Sequence, residues 1–231
     1  MTHLAEANFD QVIRFDDEAQ HFVARVVAES GSRLVEVNTP NSAALRHAVE
    51  LLSDFKSSLQ YTRLYLALLA AEDSDGVMGS AVWQSAIVSY WRGVTSGDRK
   101  RWLARFGEEP GDALAAHVHF GNLRNKFVAH SDNALQQSAV FAKLALSVQG
   151  NARLDSVGTT HLTVNAPNEE GALVLERLCE IVISELEVDI AHLSEIVTSE
   201  VTMIRISELE ARPDLEFIIP NANEQRESRP R

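Results

Sequence analysis

The stretch Gly121–Asn133, GNLRNKFVAHSDN, joins a patterned helix to a polar turn and decides how the chain is organised. Along this helix, apolar residues recur in alternating steps of three and four, the spacing of one helix face packed on a neighbour. Arg124 lies about 100° round the helix from the last regular apolar position, so it should sit on the rim of that seam. The series consists of Ala113, Ala116, Phe120, Leu123 and Phe127, and His130 continues it by one more step.

A cation on a rim beside a titratable ring is a pairing typical of catalytic sites, but these residues also have a structural interpretation. His130 would then be a residue at a helix C-terminus, placed favourably against the helix dipole. Arg124 and Lys126 would be ordinary charges near that terminus, and Asn125 would be a turn former.

Two pieces of sequence resemble the HEPN superfamily. Arg124 and His130 are separated by five residues, NKFVA, which is similar to the Arg-x4–6-His motif of that superfamily. The fuller string LRNKFVAHSDN resembles the motif of abortive-infection-type HEPN proteins. The upstream string WQSAIVSYWRGVTSGDRKRW, Trp83–Trp102, resembles the helix and basic loop that precede the motif in those proteins. The resemblance spans approximately residues 41–197.

The resemblance implies a mainly α fold, a HEPN-like bundle of four to five helices, and metal-independent cleavage of RNA without a cofactor. His130 would accept the proton of the attacking 2′-hydroxyl, Arg124 would stabilise the transition state, and Asn125 would orient either group. Six residues on one helix correspond to about 240° of rotation, so a single copy does not easily bring Arg124 to His130. A homodimer through the motif helix, with a composite site, would bring two sets together.

Such an endoribonuclease would act in phage defence (abortive infection) or in toxin–antitoxin control, with a cognate antitoxin as partner. The alternative is a catalytically inactive HEPN-like binding or scaffold module for a protein or nucleotide partner, because fold alone does not establish activity.

The overall composition restricts the range of functions. The chain has 231 residues and a net charge of −12, which argues against nucleic-acid binding over its whole surface. Its single cysteine, Cys179, leaves no intramolecular disulfide and fits a reducing cytoplasm. The N-terminus carries acids and has no continuous apolar core, and no stretch approaches the length of a membrane span, so we expect a cytoplasmic protein without membrane association.

One region departs from the acidic average. Residues 77–130 contain seven basic side chains against four acidic ones. Tyr90 and Trp91 could stack on RNA bases, although their spacing with Trp83 and Ile87 is that of a core stripe. His117 and His119 are two apart on a helix, hence on different faces, so we expect no metal site there. The candidate RNA-binding residues are Arg92, Arg99, Lys100, Arg101 and Lys126.

The rest of the chain divides into segments by pattern. An N-terminal helix is predicted within residues 1–40, followed by RLVEV (Arg33–Val37), either a short strand or an extended connection. The HEPN-like helical domain spans 41–212 and includes a β-hairpin at about 138–164, where apolar residues alternate. Residues 213–231 are predicted to be a disordered tail.

Overall fold

A computed structural model describes residues 9–16, 21–28, 33–72, 76–95, 99–109, 111–125, 136–146, 152–163 and 167–219 of the chain. The fold is mainly helical with a small β-hairpin, as predicted. The elements, in chain order, are β1 (Phe9–Asp16), β2 (His21–Ala28), α1 (Ser42–Ala70), α2 (Val77–Thr95), α3 (Arg99–Glu108), α4 (Ala113–Leu123), β3 (Gln136–Leu146), β4 (Ala152–Thr163), α5 (Glu169–Thr202), α6 (Ile206–Glu210) and β5 (Glu216–Ile219).

The chain forms two compact units. One unit comprises residues 48–188 and holds most of the helical bundle together with the β3–β4 hairpin. The other combines residues 1–47 with residues 189–231, so the two ends of the chain belong to the same unit.

The helical unit is built around aromatic side chains. On α1, buried residues recur at steps of three and four from Ala48 to Tyr65, which turns one continuous stripe toward the core. Phe55 on this stripe packs edge-on against Tyr90 of α2 and Trp102 of α3, with ring centroids 5.7 Å and 6.1 Å apart. Trp83 contacts Phe120 of α4 in the same way, at 6.0 Å. Residues of α5 complete the core: Ala172, Leu175, Leu178, Cys179, Val182 and Leu186.

The predicted core stripe on α2 is confirmed. Trp83, Ile87, Tyr90 and Trp91 are all buried. The alternative in which Tyr90 and Trp91 stack on RNA is therefore wrong, because neither ring has an open face to offer a base.

The predicted β-hairpin is also confirmed. Strands β3 and β4 pair antiparallel, from Gln136 opposite Thr163 to Leu146 opposite Ala152, with a bulge next to Lys143 and Leu144. Within the part of the chain that the structure describes, β3 and β4 form a sheet of two strands.

In the unit that joins the chain ends, the sequence prediction fails. The predicted N-terminal helix is wrong: its residues form β1 and β2, which pair antiparallel with Phe15 opposite Phe22. Strand β5 adds to the other edge of β2, so residues 216–219 of the predicted disordered tail are in a sheet. The segment that forms β1 and β2 is rich in Phe, Val and Ile, and this composition favours strands. The strand that pairs with β2, β5, lies almost 200 residues further along the sequence.

Within this unit, the Arg33 side chain connects the N-terminal part of the chain with residues 210–214. Its guanidinium donates hydrogen bonds to the Asp214 carboxylate at 2.9 Å and to the carbonyl oxygens of Glu210 and Arg212, both at 3.0 Å. Val35 forms an isolated bridge with Asp214, so RLVEV is an extended connection rather than a strand. These contacts explain why the residues after α6 are held in place.

Candidate functional site

Helix α4 carries the first part of the motif, and one face of it is anchored in the core. His117, Phe120 and Gly121 are buried. The predicted seam residues Ala113, Ala116 and Leu123 are partly buried against the same core. The seam therefore packs within the subunit, and a homodimer through α4 would have to use another face.

Gly121 is required by the close approach of α4 to α2. A Cβ atom at this position would overlap the six-membered ring of Trp91. Because the absence of a side chain lets the indole lie directly on the α4 backbone, Gly121 fixes the position of the helix immediately before the motif arginine.

His117 is a buried core residue, which its spacing with His119 does not indicate. Its Nδ1 lies 2.8 Å from the Tyr90 hydroxyl oxygen, and its ring stacks on Trp91 at 5.6 Å between centroids. Burial raises the pKa of the Tyr90 hydroxyl well above its ordinary value, so that group stays protonated at neutral pH. The spacing gave a usable signal, because His117 is four residues after Ala113 and three before Phe120.

Arg124 and Asn125 follow directly on α4. The helix continues through both residues as a wider, π-helical turn, a feature that is frequent at functional sites. Arg124 is half-buried, which agrees with a position on the rim, whereas Asn125 is exposed. A guanidinium nitrogen of Arg124 donates to the side-chain oxygen of Asn125 at 3.1 Å. The structure thus brings two of the three predicted catalytic residues into contact.

The remaining motif residues lie outside the described part of the chain. These are Lys126, Phe127 and the third predicted catalytic residue, His130, so the distance from Arg124 to His130 stays a prediction.

The other candidate RNA-binding residues fall on α2 and α3. Arg92 is exposed and forms an ion pair with Asp54 of α1. Arg101 lies 3.4 Å from Glu185 of α5, and its guanidinium also covers the ring of Trp102 at 4.6 Å. The predicted basic loop is in part helical, because Arg99 and Lys100 begin α3, and their side chains lie outside the described set. Arg92 and Arg101 therefore carry charges that neighbouring carboxylates already offset in part.

The exposed side of α4 carries two large apolar side chains. Leu114 and Val118 are both exposed, and their spacing of four residues places them one above the other on the helix. An exposed apolar pair on an otherwise well-packed helix is a feature of contact surfaces.

A groove lies between the N-terminal parts of α4 and α5. It encloses about 490 Å³. Its rim carries four carboxylates and one guanidinium, and the Arg177 guanidinium lies 3.7 Å from Glu109. Among the described residues, no ion pair involves the other three rim acids, Asp112, Glu169 and Glu170. The apolar lining residues are Ala113, Ala116, Leu173, Val174, Leu178 and Ile181.

Two chemical observations concern metals and membranes. No three His, Cys, Asp or Glu side chains in the described ranges lie close enough together to share a metal ion. None of the helices in those ranges combines the length and apolar character needed to cross a bilayer.

No protein-family model, curated protein or solved structure matches the chain. The HEPN resemblance therefore depends on the motif residues themselves.

Proposed function

We propose that the protein is a HEPN-type endoribonuclease that cleaves RNA without a metal ion and acts in phage defence or toxin–antitoxin control. The observation that carries this proposal is the setting of Arg124. Arg124 is half-buried and lies in a π-helical turn directly after α4, a helix that packs into the core. Its guanidinium donates a hydrogen bond to the side-chain oxygen of Asn125. An arginine held in this way keeps further N–H donors for a phosphate.

The chemistry assigns a separate task to each motif residue. His130 removes the proton from the ribose 2′-hydroxyl, whose oxygen attacks the adjacent phosphorus. Arg124 donates to the non-bridging oxygens, where negative charge builds up in the transition state. The bond from phosphorus to the 5′-oxygen breaks, the leaving oxygen takes up a proton, and a 2′,3′-cyclic phosphate remains. Asn125 holds the guanidinium in the required orientation.

A two-fold dimer would supply the convergence that one helix does not provide. Because the predicted seam packs inside the subunit, such a contact would use the exposed apolar side chains of α4, Leu114 and Val118. Two α4 helices that meet in parallel through this pair would bring both motif segments to the same end of the contact, because Arg124 follows Val118 by six residues on the same helix.

The decisive test is RNA cleavage by the purified full chain in excess EDTA. We expect wild-type activity to survive chelation and to fall at least about a hundredfold in His130→Ala and in Arg124→Ala. The matched control is His119→Ala, because His119 is an exposed histidine on α4 that lies outside the motif. Cleavage that is equal in all variants would reveal a contaminating nuclease and contradict the proposal.

The groove between α4 and α5 favours a second candidate, a catalytically silent module that binds a partner protein. Its apolar lining and excess of carboxylates suit a segment with apolar and cationic side chains, whereas a nucleotide phosphate would be repelled. Titration calorimetry with an amphipathic Leu- and Arg-rich peptide should then show binding that weakens with salt. Binding of a mononucleotide instead of the peptide would contradict this assignment.

A further inference from the structure

A polar groove lies between α1 and α2 and encloses about 450 Å³. Its lining residues on α2 recur at the spacing of one helix face, and α1 contributes Tyr61. We call this surface the α1–α2 groove. Most of its lining side chains can form hydrogen bonds, and these are Tyr61, Gln84, Ser85, Ser89 and Arg92.

The Ser89 hydroxyl is the feature of this groove that points to a ligand. Ser89 is only 7% exposed, and within the described ranges its hydroxyl makes no hydrogen bond. The neighbouring Ser85, by contrast, donates to the Ala81 carbonyl oxygen of its own helix at 2.8 Å. A buried hydroxyl without a partner is costly, so such a group requires an explanation. A polar group from outside the chain that enters the groove would supply the partner.

The charge of the α1–α2 groove suits an anion. Its lining contains one charged side chain, the Arg92 guanidinium, three residues from Ser89 on the same side of α2. The groove between α4 and α5 carries four carboxylates on its rim and would repel a phosphate. Asp54 forms an ion pair with Arg92, so an incoming phosphate would compete with that carboxylate for the guanidinium. Of these two grooves, the one between α1 and α2 is better suited to a phosphodiester.

The part of the groove nearer the start of α2 suits a nucleobase. Tyr61 is exposed, so its ring can stack on an unpaired base. The Gln84 amide has both a donor and an acceptor, which can bond to the edge of that base. Gln84 precedes Ser89 by five residues, about 7.5 Å along the helix axis, so the base and the phosphate of one nucleotide can reach both side chains.

We propose that the α1–α2 groove binds one nucleotide of a single-stranded RNA. The Tyr61 ring stacks on the base, and the Gln84 amide bonds to its edge. The Ser89 hydroxyl and the Arg92 guanidinium donate to the phosphate. The inference rests on the proposed function, since the nucleotide belongs to the RNA that the motif residues cleave. It adds a subsite that selects unpaired RNA, because a base inside a duplex is already stacked on its neighbours.

The packing of α2 on α4 places this subsite in the same part of the helical unit as the motif. Arg92 directly follows Trp91, whose ring lies against Gly121. Arg124 in turn lies three residues after Gly121. The cationic end of the groove and the motif arginine therefore belong to adjoining turns of two packed helices.

Fluorescence anisotropy with a single-stranded RNA that is methylated at every 2′-oxygen tests this subsite apart from catalysis, because that RNA lacks the attacking hydroxyl. Tyr61→Ala should raise the dissociation constant roughly tenfold, through the loss of one stacked base. Tyr61→Phe keeps the ring and should bind like the wild type. The matched control is Leu64→Ala, which removes a similarly exposed side chain of α1 outside the groove. Equal affinity in Tyr61→Ala and Leu64→Ala would overturn the proposal.

Two further variants separate contact with RNA from a structural role. Ser89→Ala should weaken binding roughly fivefold, the effect of one lost hydrogen bond, without lowering the thermal unfolding midpoint. Asp54→Asn should strengthen binding, since it removes the carboxylate that competes for the Arg92 guanidinium. A lower midpoint with unchanged affinity in Ser89→Ala, or weaker binding in Asp54→Asn, would contradict the assignment.

Cleavage of unmodified RNA by the same variants distinguishes this subsite from the proposed function. Binding of the methylated RNA that depends on Tyr61, without cleavage of unmodified RNA by the wild type, would support the subsite and refute the nuclease. Cleavage with the same KM and rate in wild type and Tyr61→Ala would support the nuclease and refute the subsite.

Discussion

Gly121 shows how a single residue connects packing with function, because it allows the Trp91 ring to lie on the helix that presents Arg124. Gly121→Ala should lower the free energy of unfolding by about 1–3 kcal/mol, the usual cost of overpacking a core. Urea unfolding followed by circular dichroism measures this change. The neighbouring exposed residue supplies the control, since Asn122→Ala should alter stability by less than about 0.5 kcal/mol. Unchanged stability in Gly121→Ala would mean that the indole packs elsewhere.

Cys179 provides a second prediction at this scale. Burial raises the pKa of its thiol from 9.0 to about 12, despite the hydrogen bond with Ser58. In the unfolded chain the thiol ionises near its ordinary value, so its stabilising contribution is complete below about pH 9 and is lost as the pH rises toward 12. Tyr90, whose pKa is raised in the same direction, adds to this loss above pH 10.

The unfolding free energy of the wild type should therefore decline above pH 9, by up to about 1.4 kcal/mol per pH unit for each such group. Denaturant titrations on either side of this pH, performed for wild type and Cys179→Ala, measure the slope. The variant should show the shallower alkaline decline, whatever its stability at neutral pH. An identical slope in the two proteins would contradict the role assigned to the thiol.

At the scale of elements, the stability of α5 depends on the hydrogen bonds at its first turn. The side-chain oxygen of Asn168 accepts a hydrogen bond from the Gly171 backbone N–H at 3.0 Å, and Tyr65 donates to the Pro167 carbonyl at 3.0 Å. Asn168→Ala should destabilise the protein by about 1 kcal/mol, as the loss of an N-cap typically does. Asn168→Asp is the control that keeps an acceptor at the same place. A thermal unfolding midpoint that is lower for Asn168→Ala than for both the wild type and Asn168→Asp would agree with this capping role. Equal midpoints in the three proteins would exclude it.

The elements also show what the sequence could and could not predict. The α2 stripe from Trp83 to Trp91 and the β3–β4 hairpin follow from local spacing and turn residues, and the sequence predicts both. The sequence pattern predicts a helix where the structure has strands β1 and β2, because local periodicity gives no information about the partner strand β5. Of the candidate site, the rim position of Arg124 followed from spacing, but the ion pairs of Arg92 and Arg101 depend on tertiary contacts.

At the scale of the whole molecule, RNA binding through basic side chains should weaken as the salt concentration rises, because each phosphate contact releases counterions. Five candidate phosphate contacts predict a slope of about −3.5 for the logarithm of affinity against the logarithm of salt concentration, at roughly −0.7 per contact on single strands. Arg92→Ala should reduce this slope by less than Lys100→Ala, because Asp54 already offsets part of the Arg92 charge. Fluorescence anisotropy with a single-stranded RNA at several salt concentrations measures both quantities. An affinity that does not change with salt would show that phosphate contacts do not hold the RNA.

The pairing of β2 with β5 has a consequence for synthesis on the ribosome. The β1–β2 segment is made before its outer partner strand β5, which follows only after residues 48–188 have been translated. The helical unit is complete in sequence before then and can fold while the early hairpin still has an exposed edge. Such an edge is open to pairing with other nascent chains, so the interval before β5 arrives is when the protein most needs a chaperone.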